Sequence, residues 1–310
     1  MHTPFSVAEK TATALHTMAR LDGPAVALPD PEAICDMLQL CRRVLFPEVF
    51  SGAKPCAEGL AGCCLELLQR MQALLIAEWT AKPGREMGDI GDNYRHGLDD
   101  AAAIARAAEE TALSVVEELP QLRVALEADV QAALDGDPAA RSRAEIILCY
   151  PGFFAICTHR LAHLLWLGNA PLVARMMTEQ AHHRTGIDLH PGAQIGPALF
   201  IDHGTGVVVG ETAVLGARVR LYQGVTLGAR SIAKGDAQRF LKRHPTLHDD
   251  VVIYANATIL GGDVVIGKGA IIGGNTWVTT SLPAGARLRL DMAARVADAV
   301  VMQPDGQQPE

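Results

Sequence analysis

Aromatic residues are scarce in this 310-residue chain: three Trp, four Tyr and seven Phe make up 5% of it. With so few rings, recognition of nucleic acid through stacked bases has little to work with. Positive charge is also short. There are 27 Lys and Arg against 35 Asp and Glu, and the formal net charge of −8 argues against a phosphate backbone as the principal partner. A small-molecule substrate is the expectation that remains. Cysteine is absent beyond Cys157: all seven (Cys35, Cys41, Cys56, Cys63, Cys64, Cys149, Cys157) fall in the first 160 residues. An odd number scattered through helix-like segments argues against a secreted disulfide framework. No pair has the C-x-x-C spacing of structural zinc sites, so buried free thiols are expected. The N-terminus has no basic stretch followed by an apolar run, so no signal peptide is evident. No run is expected to cross a bilayer, since the richest, 146–167, is interrupted by Pro151, His159, Arg160 and His163. The expected location is the cytoplasm.

What is present divides the chain into two textures. Leu60, Cys64, Leu67, Met71, Leu74 and Leu75 recur at mostly three- and four-residue spacing, the stripe of an amphipathic helix. A second helix opens at Asp99 or Asp100, either of which can cap free amides. Its successor starts at Pro120, buries Leu122, Leu126, Val130 and Leu134, and stops at Asp135-Gly136-Asp137-Pro138. Further helices are expected around 143–168 and 171–185, with Gly186 ending the last. Residues 1–186 thus read as a helical domain, the first 30 as a possible loose arm.

From residue 187 branched aliphatics recur every six residues: Leu189, Ile195, Ile201, Val207, then Ala213, Val219 and Val225. The phase resumes at Leu247, Ile253, Ile259, Val265, Ile271 and Trp277. Neither a helical period nor simple alternation explains that spacing, and a parallel β-helix of hexapeptide repeats does. The chain is therefore α+β: a helical domain, a β-helix over 187–283 and a tail over 284–310. A loop at 229–246 interrupts the repeat and is locally basic, with Arg230, Lys234, Arg239, Lys242 and Arg243. Loops of this kind carry sites more often than they arise by accident.

Histidine suits proton transfer near neutral pH, and His203 lies beside Asp202 and ahead of Gly204 and Gly206. Asp188, fifteen residues earlier, is about one coil away and in position to orient a general base. The run Ile187-Asp188-Leu189-His190-Pro191-Gly192-Ala193, with Asp202-His203-Gly204-Thr205-Gly206, Gly210-Glu211-Thr212-Ala213-Val214 and Arg243-His244-Pro245, resembles bacterial and plant serine O-acetyltransferases. Ala128-Asp129-Val130-Gln131 and Asp137-Pro138-Ala139 extend the likeness into the helical half, so that it covers roughly residues 120–285.

That resemblance implies a left-handed β-helix and transfer of acetyl from acetyl-CoA to L-serine, giving O-acetylserine for cysteine biosynthesis. It implies His203 as base with Asp188 as its carboxylate partner. Asp202 and, across a subunit boundary, Asp137 would hold the substrate ammonium, and Arg243 and His244 its carboxylate. Glu211 would brace the turn near His203. Acetyl-CoA would serve as co-substrate with no permanently bound cofactor, lying near Gly228, Gly273 and Gly274 with Lys268 available for phosphate. A homotrimer or a dimer of trimers is implied, with no nucleic acid, membrane or metal involved.

Rival readings are an acetyltransferase for another hydroxyl or amino acceptor, a non-catalytic scaffold, and a zinc carbonic anhydrase-like β-helix using His203, His244 and His248. His159 and His163 have the i, i+4 spacing of helical zinc ligands, but Arg160 follows where the protease motif has Glu, so packing histidines are expected. Two departures from the family pattern stand out. The loop before Arg243 is longer and more basic than the Gly-Gly-Asp-Arg-His-Pro form of many relatives, which leaves open serine or a modified serine as acceptor. The chain ends Gln307-Gln308-Pro309-Glu310, without the terminal isoleucine of members that bind O-acetylserine sulfhydrylase. The expectation is that the two purified proteins elute separately from a sizing column, and co-elution abolished by deleting the tail would contradict it.

Overall fold

Prolines and capping side chains divide the helical half. The computed structural model describes residues 28–50, 56–81, 100–230 and 241–289. The N-terminal arm before Leu28, the alternative cap Asp99, loop residues 231–240 and the tail beyond Arg289 lie outside the described residues. Asp30 opens α1 (Pro31–Leu45) by accepting the Glu32 amide, with Pro31 where a missing N–H costs nothing. A single turn, α2 (Pro47–Phe50), leads on. Two long helices, α3 (Ala57–Thr80) and α4 (Ala101–Glu117), pack together, and Asp100 caps α4 through the Ala103 amide at 2.8 Å. By length and composition α3 is apolar enough to cross a membrane, contrary to the expectation that no segment would be. Its Leu67, Met71, Leu74 and Leu75 point into the helical core.

Next comes α5 (Leu119–Gly136), stopped at the expected Gly136-Asp137. The single helix expected over 143–168 is two, α6 (Arg143–Cys149) and α7 (Pro151–Leu167). Tyr150 between them is extended (φ −77°, ψ 119°), the conformation a following proline imposes. The last helix, α8 (Pro171–Thr185), hands over to the first strand.

Among the described residues the second half is a three-sided parallel solenoid of fourteen short strands. Sheet A stacks β1 (Asp188–Leu189), β4 (Val208–Val209), β7 (Thr226–Gly228), β10 (Thr258–Leu260) and β13 (Trp277–Val278). Sheet B holds β2 (Gln194–Ile195), β5 (Val214–Leu215), β8 (Thr246–Leu247) and β11 (Val265–Ile266). Sheet C holds β3 (Phe200–Asp202), β6 (Arg220–Tyr222), β9 (Val252–Ile253), β12 (Ile271–Ile272) and β14 (Arg287–Leu288), so the solenoid runs past the boundary expected at 283. Every ladder is parallel, as coil stacked on coil requires.

The interior has two aliphatic columns where the hexad pattern suggested one. Strand centres form the first: Leu189, Ile201, Val209, Leu215, Leu221 and Leu227 are all buried. Corners form the second, with Ala193, Leu199, Val207, Ala213, Val219 and Val225. Asp188 pairs with Val208 and Val208 with Thr226, so the first coil is two residues longer than the second. The extra pair lies in the turn 203–207, and there the six-residue count crosses from the strand column to the corner column. A further extra residue at Gly261-Gly262 shifts it again. Ile266, Ile272 and Val278 therefore face inward, and Trp277, expected in the core, is 68% exposed.

One buried ion pair joins the halves. Asp129 of α5, its side chain 0% exposed, receives both Nε (2.7 Å) and Nη2 (2.8 Å) of Arg160 on α7. The same carboxylate accepts the Leu199 amide at 2.9 Å, and Arg160 donates to the carbonyls of Ile195 (3.1 Å) and Gly196 (2.8 Å). Both side chains thus bind the first coil. Gly152 lets the start of α7 touch it as well, since a Cβ there would come within 2.2 Å of the Ile201 carbonyl. Asp129→Ala would leave a buried guanidinium unpaired and should cost about 3–5 kcal/mol. Urea denaturation checks this, and Asp129→Ala/Arg160→Met should recover part of the loss.

Candidate active site

The residues expected to bind the amino acid gather at two different corners of the solenoid. At the CA corner the long turn 203–207 carries left-handed φ at His203 (57°), Gly204 (87°) and Gly206 (80°). The turn bulges outward, so the His203 side chain is 72% exposed, with Nε2 3.9 Å from Asp202 Oδ1. Just beyond the end of α5, Asp137 approaches the same place. Its Oδ2 accepts the Tyr150 hydroxyl at 2.5 Å and its Oδ1 the Ala139 amide at 2.8 Å. The Tyr150 hydrogen bond, then the Ala139 amide and the positive potential of His203 hold the Asp137 carboxyl below its usual range, against a small opposing effect of burial. Burial, then Asp137, Glu145 and Asp202 push the Tyr150 hydroxyl up, so it stays a donor. Asp137, Tyr150, Asp202 and His203 thus meet within one chain, and no subunit boundary separates Asp137 from Asp202.

The expected Asp188–His203 dyad is not formed in the single chain: among the described residues no hydrogen bond or ion pair joins them. Asp188 opens sheet A, 4.0 Å from the Arg175 guanidinium, and burial raises its carboxyl. Ligand atoms of Asp188, Glu179 and His182 lie within 4.8 Å of one another. His182, in the last turn of α8, keeps its side chain 44% exposed.

The AB corner holds the second group. The guanidinium of Arg243 pairs with Glu211, which corrects the expectation that Glu211 braces His203's turn. Thr212 Oγ1 accepts the amides of Arg243 (2.9 Å) and His244 (3.1 Å). In return His244 Nδ1 accepts the Thr212 amide at 3.0 Å and lies 2.9 Å from Oγ1. With Nδ1 occupied as acceptor, the ring proton sits on Nε2. Burial first, then Arg243 and Lys242, push the ring down to about 4, so His244 is a neutral donor at neutral pH. Directly above, Gly210 leaves it room, because a Cβ there would come within 2.1 Å of the ring. Beside it His190, which accepts the Gly192 amide at 3.1 Å, is pushed down to about 3, chiefly by burial.

The coenzyme residues divide likewise. Gly228 ends β7 at the AB corner, and Gly273 and Gly274 lie at the CA corner. Lys268 is at the third corner, BC, 3.8 Å from Asp250, apart from the others. His248 also lies at BC, so the three histidines of the zinc alternative occupy three different corners of one chain. His159 and His163 serve packing: their rings meet the carbonyls of His190 (3.2 Å) and Pro191 (2.7 Å), and burial pushes His159 down to about 3. Sequence reasoning missed Tyr150, Thr212 and Lys242 as site residues. Only Thr212 carried a signal, its place in Gly210-Glu211-Thr212.

These features define a hexapeptide-repeat solenoid with an imidazole exposed at one corner and a guanidinium at another. A profile of the family described as "Serine acetyltransferase, N-terminal" matches residues 95–158. A plasmid serine acetyltransferase of Synechococcus elongatus is 52% identical over 264 residues, 84% of this chain and 81% of the relative. The serine acetyltransferase of Mycobacterium tuberculosis is 48% identical over 52% of this chain and 68% of its own length. Among solved structures, Entamoeba histolytica serine acetyltransferase 1 in complex with L-cysteine superposes with a TM-score of 0.69 at 32% identity, covering 91% of this chain and 97% of that one. The Neisseria gonorrhoeae enzyme in complex with serine matches at 0.53 and 26%, covering 88% and 98%. The chain belongs to the serine acetyltransferase family and is an acyltransferase.

Tyr150→Phe should release Asp137 toward an ordinary carboxylate pKa. A lowered pKa keeps the group ionised to lower pH, so the Asp137 carboxyl should titrate at higher pH in the variant. A side-chain carboxyl NMR titration of wild type and variant reads the shift.

Proposed function

We propose that this serine acetyltransferase acts at a site divided between two copies of the chain, the CA corner of one facing the AB corner of the next. One observation carries the reading. Groups for an ammonium, Asp137 and Asp202, share the CA corner with His203, whereas groups for a carboxylate, Arg243 and His244, sit at the AB corner. A full sheet face, about 15–20 Å at ~3.3 Å per residue, separates the corners. No single α-amino acid spans that gap. A cyclic trimer brings the two corners together three times over.

At such a site His203 takes the serine hydroxyl proton while the oxygen attacks the acetyl carbonyl carbon. The tetrahedral intermediate collapses with cleavage of the C–S bond, and the imidazolium returns its proton to the departing CoA sulfur. O-acetylserine and CoA are the products. Arg243 and neutral His244 orient the substrate carboxylate, and Asp137 and Asp202 the ammonium, so that much of the rate comes from positioning two substrates together. We keep Asp188 as the imidazole's partner in the loaded site, because β1 pairs with the strand that follows His203's turn. Acetyl-CoA occupies the groove between copies, where Gly228 of one corner faces Gly273 and Gly274 of the other. The complexes of relatives with serine and L-cysteine support an α-amino acid acceptor.

The apolar α3, little buried in the single chain, supports pairing of trimers through the helical domains. Its apolar character is then that of an interface helix, and no membrane is involved. Seven free cysteines support a reducing compartment, and we place the enzyme in the cytoplasm.

CoA thiol release should require L-serine and fall about 10²–10⁴-fold in His203→Ala. Release with O-phosphoserine or homoserine in place of L-serine would change the acceptor. Arg243→Ala should also be inactive alone. Co-refolding the two inactive variants should restore about a quarter of wild-type activity, since each mixed trimer regains one intact site. No recovery from stable mixed trimers would contradict a divided site.

A further inference from the structure

The last described stretch of the long loop returns to the solenoid at Lys242, immediately before the arginine and histidine of the carboxylate grip. Lys242 Nζ donates to the carbonyls of Thr212 (2.5 Å), His244 (2.5 Å) and Pro245 (3.2 Å). Among the described residues no backbone amide reaches Thr212 O or His244 O. The ladder resumes at Val214, whose amide donates to the Pro245 carbonyl at 3.2 Å, whereas Pro245 has no N–H for the turn bond that Ala213 and Val264 make at the same corner. Within that turn one ammonium joins coil to coil across the returning chain.

The backbone it holds has little room to move. Above, Thr212 Oγ1 takes the Arg243 and His244 amides. Below, Gly262 lies so close that a Cβ would come within 2.1 Å of the Lys242 carbonyl oxygen. Arg243 and His244 are thus clamped between two coils, with the ammonium tying off the free edge. The other described end of the loop is tied the opposite way, by Arg230 to Asp263 and the Thr279 carbonyl on later coils.

We infer that Lys242 is a positioning residue for the substrate-carboxylate grip, its ammonium setting Arg243 and His244 in register by binding the carbonyls of Thr212, His244 and Pro245. This rests on the divided-site reading above, in which Arg243 and His244 receive the amino-acid carboxylate. Lys242 itself does not touch substrate. Its three donors are spent on main-chain carbonyls, and burial lowers its affinity for the proton.

The test uses full-length Lys242→Met and Lys242→Arg beside wild type, with folding checked by circular dichroism. Losing charged hydrogen bonds of this kind should raise KM for L-serine ~10-fold or more in Lys242→Met. KM for acetyl-CoA should change less than ~2-fold. Lys242→Arg, which keeps charge and donors, should restore most of the serine affinity. Amide hydrogen exchange without substrates should accelerate at Arg243 and His244 in Lys242→Met, and at distant coils not at all. An unchanged serine KM, a parallel rise in both KM values, or unaltered exchange at these two amides would each overturn the inference. Absence of serine-dependent thiol release from wild type would instead overturn the parent reading, and the exchange measurement still decides the role of Lys242.

Discussion

The buried pair Asp129–Arg160 is the contact on which the arrangement of the site depends. Two charges out of water are costly unless every lone pair and proton is used, and here nearly all are. The carboxylate takes a forked guanidinium and the Leu199 amide, while the guanidinium also reaches Ile195 and Gly196 carbonyls. Geometry this specific permits one seating of α5 and α7 on the first coil. Asp137 lies eight residues beyond Asp129, just past the end of the same helix, so that seating also delivers its carboxylate to Tyr150 and the His203 turn. A helix held only by apolar contacts would be free to slide or rotate, and the Asp137 carboxylate would move with it.

A second constraint is the length of one turn. Two residues more than a regular hexad are accommodated by left-handed φ at His203, Gly204 and Gly206, which throws the imidazole outward. The core continues undisturbed because the aliphatic pattern resumes at Val207 and Val209, both buried. The solenoid thus carries a functional bulge where its helical domain docks. At the AB corner the larger excursion is absorbed differently, by Thr212, Lys242 and the absence of side chains at Gly210 and Gly262.

Much of the architecture was legible before any coordinates. Period six from residue 189 implied stacked coils, and Asp100, Pro120 and Gly136 marked helix ends that the structure shares. The failures have physical causes. Counting by six cannot distinguish a corner residue from a strand residue when both columns are aliphatic, so Trp277 was assigned to the core. The resemblance put Glu211 beside His203's turn, whereas eight residues along a solenoid carry the chain across a whole face, and Glu211 pairs with Arg243. A fifteen-residue spacing does not by itself join Asp188 to His203 in the single chain, because the first coil is a long one.

The order of apolar and turn residues by itself determined that the chain would form a helical domain followed by parallel coils, because periodicity and capping are local properties of adjacent residues. The run of motifs likewise singled out His203, Arg243 and His244. Only the tertiary structure decided which of those groups share a corner, that Tyr150 serves Asp137 and that Lys242 ties the returning loop. Tyr150 lies 13 residues from Asp137 and Lys242 30 from Thr212, while Asp137 and His203 are 66 apart, so their meeting depends on coil length, docking angle and the fit of two packed surfaces. No short pattern encodes them, since each side chain's partner is selected by where the whole fold places it.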